Sequence, residues 1–346
     1  MVDERNDRTE LDEQTTALRT GAGGFVPSRA VLAVRGPEAE SYLQGQVSQD
    51  VVQLGVGESV DSLLLRPDGK LVALVRVTRV DGQTFVLDTD GGLGEAVAER
   101  LLKFRLRSKF ELEHLDWRCL SLRGAAVEGE AAGLLAVLGE GGVLALPFEW
   151  NGWRGTDLLG PKDVVLDASE LPAPIVRCGA EAVEACRIAS GIPAMGAELT
   201  EKTIPAEAGL VGRTVDFDKG CYTGQELVAR IDARGSNVQR RLVGVVGAVG
   251  ADGADGADGS GDPVRLSAGM TLHADPAPPG DSAAEDKILG TITSAAWSSE
   301  LGSWIALAYL HRSVPAPGPV RVRSGDGVGG SLPARVANLP LVGGEG

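Results

Sequence analysis

The sequence is short of the side chains that most often announce a chemistry. Its four cysteines, Cys119, Cys178, Cys186 and Cys221, lie far apart with no CxxC pair, and they are joined by only three histidines, His114, His273 and His311. A zinc site or a disulfide framework needs closer spacing, and iron–sulfur ligation by the chain itself is disfavoured on the same ground, so no metal is assigned. Positive charge is also scarce. With 33 Lys and Arg against 48 Asp and Glu, the net charge of -15 opposes a broad electrostatic grip on a phosphate backbone. Direct nucleic-acid binding is therefore disfavoured, and a tRNA would need a local basic patch. The chain has neither an apolar h-region near its start nor a run long enough to cross a bilayer. On these absences the expectation is a cytoplasmic protein with no membrane association.

At 346 residues the chain is too long for one ordinary core, and two or three packed domains are expected. Residues 1–24, rich in Asp, Glu, Arg and Thr, read as a disordered acidic tail. Ala30–Val34 reads as a strand, leading past Gly36-Pro37 into a helix with Ala39, Tyr42 and Leu43 at helical spacing. Ser62–Leu65 and Leu71–Val77 are β-rich runs around Asp68-Gly69, a strong hairpin signal, and Thr84–Leu87 adds a strand. Asp90 is placed to cap a helix carrying Leu93, Val97 and Leu101. The layout is α+β rather than alternating βαβ. Lys103–Lys109 alternates basic and other residues, so a strand there would show one cationic face. That face is either simply solvated or a seat for an acidic cofactor tail or RNA.

After Gly235 short β-prone runs alternate with Gly- and Pro-rich stretches, which predicts a small β-barrel or sandwich over 236–346. Acidic, low-apolar insertions near 249–263 and 274–286 read as flexible surface loops.

The densest signal is Asp218-Lys219-Gly220-Cys221-Tyr222-Thr223-Gly224-Gln225-Glu226. Thr223 and Glu226 have capping-box spacing, and Leu227, Val228 and Ile231 give the stripe of a helix stopping at Gly235. Cys221 then lies just outside a helix N-terminus with Lys219 nearby, an arrangement that favours the thiolate. The alternative is a small buried hydrophobe in a tight turn, and spacing alone leaves both open. Gly220 and Gly224 read as turn-forming. Tyr222 could stack on a ring or belong to the core. Arg187 and Arg230 could be surface ion pairs or could face an acidic ligand tail.

Lys219–Glu226 resembles the signature K-G-C-[FY]-x-G-Q-E of the YgfZ branch of the YgfZ/GcvT family, relatives of the glycine-cleavage T-protein. Further likeness runs in the same order: Gly36-Pro37-Glu38-Ala39 with Leu43-Gln44-Gly45-Gln46, Asp68-Gly69-Lys70, Arg187-Ile188 with Gly191-Ile192-Pro193, Ile204-Pro205 with Glu207-Ala208-Gly209-Leu210, and Gly290 with Thr293-Ser294. The resemblance implies a multi-lobed α+β folate-binding fold, with two intertwined lobes over 25–235 and a C-terminal antiparallel β-barrel. It implies tetrahydrofolate or a folate derivative as cofactor. It also implies an accessory role in iron–sulfur cluster assembly or maintenance, whose partners are iron–sulfur enzymes, among them radical enzymes that methylthiolate tRNA. Cys221 is carried over as the functional thiol and Lys219 as its electrostatic neighbour; Tyr222, Gly224, Gln225, Arg187 and Arg230 are the expected folate contacts. Where the T-protein has an acidic pair after its hairpin, this chain has Ala73 and Leu74, and the pterin-binding glutamate of its Arg-x-Glu-x-Gly run is replaced in Arg187-Ile188-Ala189-Ser190-Gly191. Independent turnover is therefore not the leading expectation, and a tetrahydrofolate-dependent aminomethyltransferase is the alternative.

Overall fold

A computed structural model describes residues 2–138, 142–233, 235, 237–248, 264–275, 287–324 and 331–343. In chain order, helix α1 (Val2–Arg19) leads into β1 (Gly23–Phe25), β2 (Arg29–Arg35), α2 (Ala39–Gln44), β3 (Ser59–Leu65), β4 (Leu71–Arg79), β5 (Thr84–Asp90) and α3 (Gly94–Lys103). There follow β6 (Glu111–Leu115), β7 (Trp117–Arg123), α4 (Val127–Leu138), β8 (Leu144–Trp150), β9 (Trp153–Pro161), β10 (Val176–Arg177), α5 (Ala180–Ala189), α6 (Val211–Thr214) and α7 (Gln225–Asp232). The last stretch carries β11 (Arg240–Gly247), β12 (Thr271–Ala274), β13 (Gly290–Ser298), β14 (Ser303–His311), β15 (Gly318–Arg323) and β16 (Leu332–Ala337).

Three sheets result. The first has the order β3-β4-β5-β2-β6, the second β10-β1-β7-β9-β8, and the third is a closed barrel, β11-β14-β13-β12-β15-β16. The barrel pairings are antiparallel, and Val245, Leu272, Ile292, Ala308 and Val322 fill its interior. Closure removes free sheet edges, which lets this small unit stand beside the other two. The chain is thus an α+β protein of three sheet layers with a C-terminal antiparallel barrel. Because β1 joins the second sheet and β2–β6 the first, the chain crosses between the two sheets near residue 27 and again near residue 116, and facing strands come from distant parts of the sequence.

The Asp68-Gly69 turn closes the β3–β4 hairpin, with Gly69 in the left-handed region at φ 80°. Two local expectations change. Residues 1–24 are not a disordered tail: Val2–Arg19 is helical, and Leu11 and Leu18, one heptad apart, are buried against Cys178, Ala182 and Cys186. Two apolar residues at that spacing suffice to dock a helix whose other faces are polar, and mean polarity hides such a stripe. Trp153 Nε1 also donates to the Leu18 carbonyl at 2.9 Å. Lys103–Lys109 is not a strand either, since α3 runs through Lys103 and the rest is a loop in which Leu106 takes φ 47°. Of the two expected insertions, only Ala274 and Asp275 fall among the described residues.

Candidate functional site

A cavity of about 230 Å³ opens between the first two sheets and is closed by α5 and residues 192–195. Strand periodicity aims its wall residues. Side chains two apart share a face, so Cys119, Ser121 and Arg123 of β7 all reach the cavity, as do Leu74 and Arg76 of β4 and Phe148 and Trp150 of β8.

The floor is a chain of buried ion pairs. Asp157, on β9, accepts from Arg76 Nη1 at 2.6 Å, Arg123 Nη2 at 2.8 Å and the Ser121 hydroxyl at 2.7 Å. Asp88 accepts from Arg76 Nε at 2.9 Å and also from Arg29, which reaches Asp90 at 3.1 Å. Burial pushes the Asp157 carboxyl up, but Arg123, Arg76 and the hydrogen bonds from Ser121 and Arg76 outweigh it and hold it below the ordinary carboxylate range. Asp88 behaves alike: burial is outweighed by Arg76 and Arg29. The Cys119 thiol beside them is pushed up to about 12 by burial and by Asp157, which leaves it an inert thiol.

Arg123 lies between aromatic rings, its guanidinium carbon 3.7 Å from the Phe148 ring centre and 5.7 Å from those of Phe25 and Trp153. Among the described residues its Nε is buried without a hydrogen-bond partner. The wall therefore combines flat apolar faces, neutralised charge and one unspent donor.

Arg187, on α5, also lines the cavity. It is no surface pair: its guanidinium meets Glu184 at 2.6 Å and Glu198 at 3.0 Å, and Glu198 is fully buried. Glu198 also accepts from the hydroxyls of Thr293 and Ser294 on β13, each at 2.6 Å, and so ties the cavity wall to the barrel. With both glutamates attached, Arg187 brings no spare charge to an acidic tail.

The Cys221 turn sits at the hairpin end of the first sheet. Asp216 Oδ1 accepts from the backbone N–H groups of Asp218 and Lys219, at 2.8 and 3.1 Å, which folds the approach to the cysteine into a tight loop. Lys219 Nζ donates to the carbonyls of Val47 and Gln49 at 2.8 and 2.6 Å and staples the loop after α2 to this turn. Burial lowers its pKa to about 8, opposed by Asp50 and Asp216. Cys221 itself is exposed.

The expected capping box is not formed. Helix α7 starts at Gln225 behind a left-handed Gly224, at φ 86°, with no side-chain cap. Thr223 turns its hydroxyl toward Gly45 and Gln46, each at 3.5 Å, and the Gln225 side chain accepts from the Tyr222 N–H at 3.1 Å. The helix ends at Asp232, before Gly235, and its first turn begins four residues beyond Cys221, so the dipole argument for the thiol loses its geometric basis. Gly224 is required for two reasons: its φ, and a Cβ there would meet the Arg66 carbonyl at 2.5 Å. Gly220 is not required by sterics, since a Cβ would find open space. The Asp90 cap of α3 is likewise not made; its carboxylate bonds Arg29 and the Met195 N–H instead.

Of the expected folate contacts, only Arg187 lines the cavity. Tyr222 is buried among Leu63, Leu65, Leu71 and Val228; Gly224 and Gln225 shape the turn; Arg230 is exposed near the end of α7. The motif braces the hairpin instead of lining the cavity. Leu74 lines the cavity and packs against the Tyr222 cluster, so one apolar layer joins the two places. Sequence reasoning missed Arg29, Arg76, Arg123, Asp88 and Asp157. The available signal was polar residues of equal parity inside apolar strands, as in Thr-Phe-Val-Leu-Asp88-Thr-Asp90 and Cys119-Leu-Ser121-Leu-Arg123.

Two sheets enclosing a walled cavity, with a closed barrel beside them, define a class, the T-protein-like fold. Residues 265–342 match the glycine cleavage T-protein C-terminal barrel domain. The chain is similar to the tRNA-modifying protein YgfZ of Shigella dysenteriae, 28% identical over 60% of this chain and 67% of that one. It is also similar to the aminomethyltransferase of Streptomyces avermitilis, 27% identical over 96% and 89%. The crystal structure of the glycine cleavage system aminomethyltransferase T from Bartonella henselae superposes with a TM-score of 0.75 at 20% identity, covering 96% of this chain and 89% of that one. The chain is thus similar to proteins of the YgfZ/GcvT type and carries the T-protein C-terminal barrel domain. Among the described residues, no helix is long and apolar enough to cross a membrane, and no group of three or more metal-ligating side chains occurs.

Proposed function

We propose that the protein is a folate-binding accessory factor for iron–sulfur cluster assembly or maintenance, acting in the cytoplasm and indirectly supporting tRNA methylthiolation. Cys221 is its functional thiol. The observation that carries the reading is the cavity wall. Its polar groups are charge-compensated, its faces are aromatic, and Arg123 Nε is an unpaired buried donor; together these suit a flat, neutral heterocycle with acceptor atoms, which is the pterin end of a folate. At about 230 Å³ the space is smaller than the roughly 300–1,000 Å³ of pockets that enclose a whole drug-sized ligand, so the ring system would enter and the glutamyl end would stay outside. Phe148, Trp150 and Trp153 would hold the ring, and the Arg123 Nε would donate to it. When bound, the folate supplies a one-carbon carrier; this chain's residues bind it, orient it and shield it from water.

An aminomethyltransferase is favoured by the length of the match to the Streptomyces protein. Proton transfer in that reaction calls for a carboxyl group free to titrate near the working pH. Asp88 and Asp157 are held ionised by arginines, and Leu74 is apolar. Binding is thus better served than turnover.

Complementation tests the reading. In cells lacking the protein, wild type should restore tRNA methylthiolation while purified protein binds tetrahydrofolate and releases no ammonia from an aminomethylated lipoyl protein. Folate-dependent ammonia release at catalytic rate would reverse the ranking; absence of both folate binding and complementation would end it.

A further inference from the structure

The loop after α3 is the surface that neither the cavity nor the thiol turn uses. Lys103, Arg105, Arg107 and Lys109 fall within seven residues, and among the described residues none of their side chains enters an ion pair, whereas Arg29, Arg76, Arg79, Arg187 and Arg213 all do. Arg105 is held in place with its charge uncancelled: its Nε meets the Ser108 carbonyl at 3.4 Å and its guanidinium covers Phe110 at 5.0 Å. Between the cations stands Leu106, 93% exposed at φ 47°, with Leu102 46% exposed one turn earlier. A leucine in the left-handed region is strained, and this one recovers nothing by burial within the chain. Four cations around two exposed leucines form a local patch opposite in sign to the net charge of -15 that the whole chain carries.

The stem of the loop is joined to the Cys221 turn. Arg100 lies over the Phe104 ring at 4.4 Å and donates to the Leu65 carbonyl at 2.9 Å and to Gln46 Oε1 at 3.0 Å. The Thr223 hydroxyl approaches that same Gln46 oxygen at 3.5 Å. The two surfaces therefore share one support. Beside the cysteine, Gly220 leaves open space where a side chain would stand.

We propose that Leu102–Lys109 is a docking face for an acidic, leucine-bearing segment of a protein partner, which it seats beside the Cys221 turn. Naming that partner a client iron–sulfur enzyme rests on the function proposed above; the docking chemistry does not. A single-stranded RNA is the poorer occupant, because its bases need open aromatic faces. Phe104 is covered by Arg100, and Phe110 is buried under Arg105. A long polyanion would also meet the repulsion of a chain of net charge -15, while a short acidic segment meets only the charge within about 8–10 Å.

The test is fluorescence anisotropy with a labelled peptide of Glu-Glu-Leu repeats, beside labelled poly(U) and sedimentation of the unlabelled protein. The peptide should bind wild type more tightly at low salt. R105E/R107E should weaken it about tenfold or more, Leu106→Ser about threefold, and Arg335→Glu on the barrel should leave it unchanged. In cells, R105E/R107E at matched abundance should lose tRNA methylthiolation while the purified variant keeps its folate affinity. Peptide affinity equal in R105E/R107E and wild type overturns the proposal. So does tighter binding of poly(U) with the same sensitivity, which makes RNA the occupant, or self-association relieved by R105E/R107E, which makes it a second copy. Wild type that fails to support methylthiolation overturns the functional reading alone, and the peptide result then decides the docking face by itself.

Discussion

The cavity wall and the Cys221 turn are built by opposite means. The wall is made of charged groups taken out of water and paired, Arg76 and Arg123 on Asp157, Arg76 and Arg29 on Asp88, so that each arginine fixes the carboxylate and each carboxylate fixes the arginine. The turn is made of backbone hydrogen bonds and one lysine staple, and its thiol faces outward. Burying paired charge is a costly way to gain stability, but it yields a polar surface that does not rearrange when a ligand arrives. An exposed thiol on a pinned loop is suited to a group on another molecule. One region is shaped to hold, the other to present.

Breaking the wall should have the largest effect. Asp157→Asn leaves Arg76 and Arg123 short of a buried negative charge and should cost about 3–5 kcal/mol by urea unfolding. Because the folded-state pKa values of Asp88 and Asp157 are depressed, their contribution is present above the unfolded carboxylate range and is lost as pH falls through the folded values. Acid unfolding of wild type should therefore begin below pH 4, and Asp157→Asn should flatten that limb. Gly224→Ala sets a β-carbon at φ 86° against the Arg66 carbonyl and should cost about 2–3 kcal/mol, releasing the turn from the hairpin without touching the cavity. Trp150→Leu removes one flat wall and should weaken folate roughly tenfold by titration with little loss of stability.

The smallest effect sharpens the turn. Lys219 carries a folded pKa near 8, lowered by burial, so between there and its unfolded value the unfolded chain binds more protons and stability rises with pH. The stability of wild type relative to Lys219→Met should climb across that window. A flat difference would mean that the staple to Val47 and Gln49 is solvated.

Much of the fold was legible because its signals are local. The Asp68-Gly69 hairpin, the α2 stripe and the short barrel strands announce themselves by turn chemistry and periodicity. The docking of α1 was not legible, since its stripe of Leu11 and Leu18 is meaningful only once α5 supplies the opposing face. The site divides in the same way. Lys219 and Cys221 stand out within one motif, but the cavity gathers Arg29, Arg76, Asp88, Arg123 and Asp157 from five strands in two sheets, and no window of sequence contains that juxtaposition. Tyr222 and Gln225 are tied to the ligand only by the family resemblance, whereas their side chains serve the turn's own packing and hydrogen bonding.

The account stands most directly on Cys221→Ala, assayed for stability, folate affinity and restoration of tRNA methylthiolation at matched abundance in cells lacking the protein. Because the thiol is exposed, its removal should change stability by no more than about 0.5 kcal/mol and leave folate affinity intact while abolishing restoration. Full restoration by the variant, or loss of folate affinity together with function, would contradict the separation of a holding cavity from a presenting thiol.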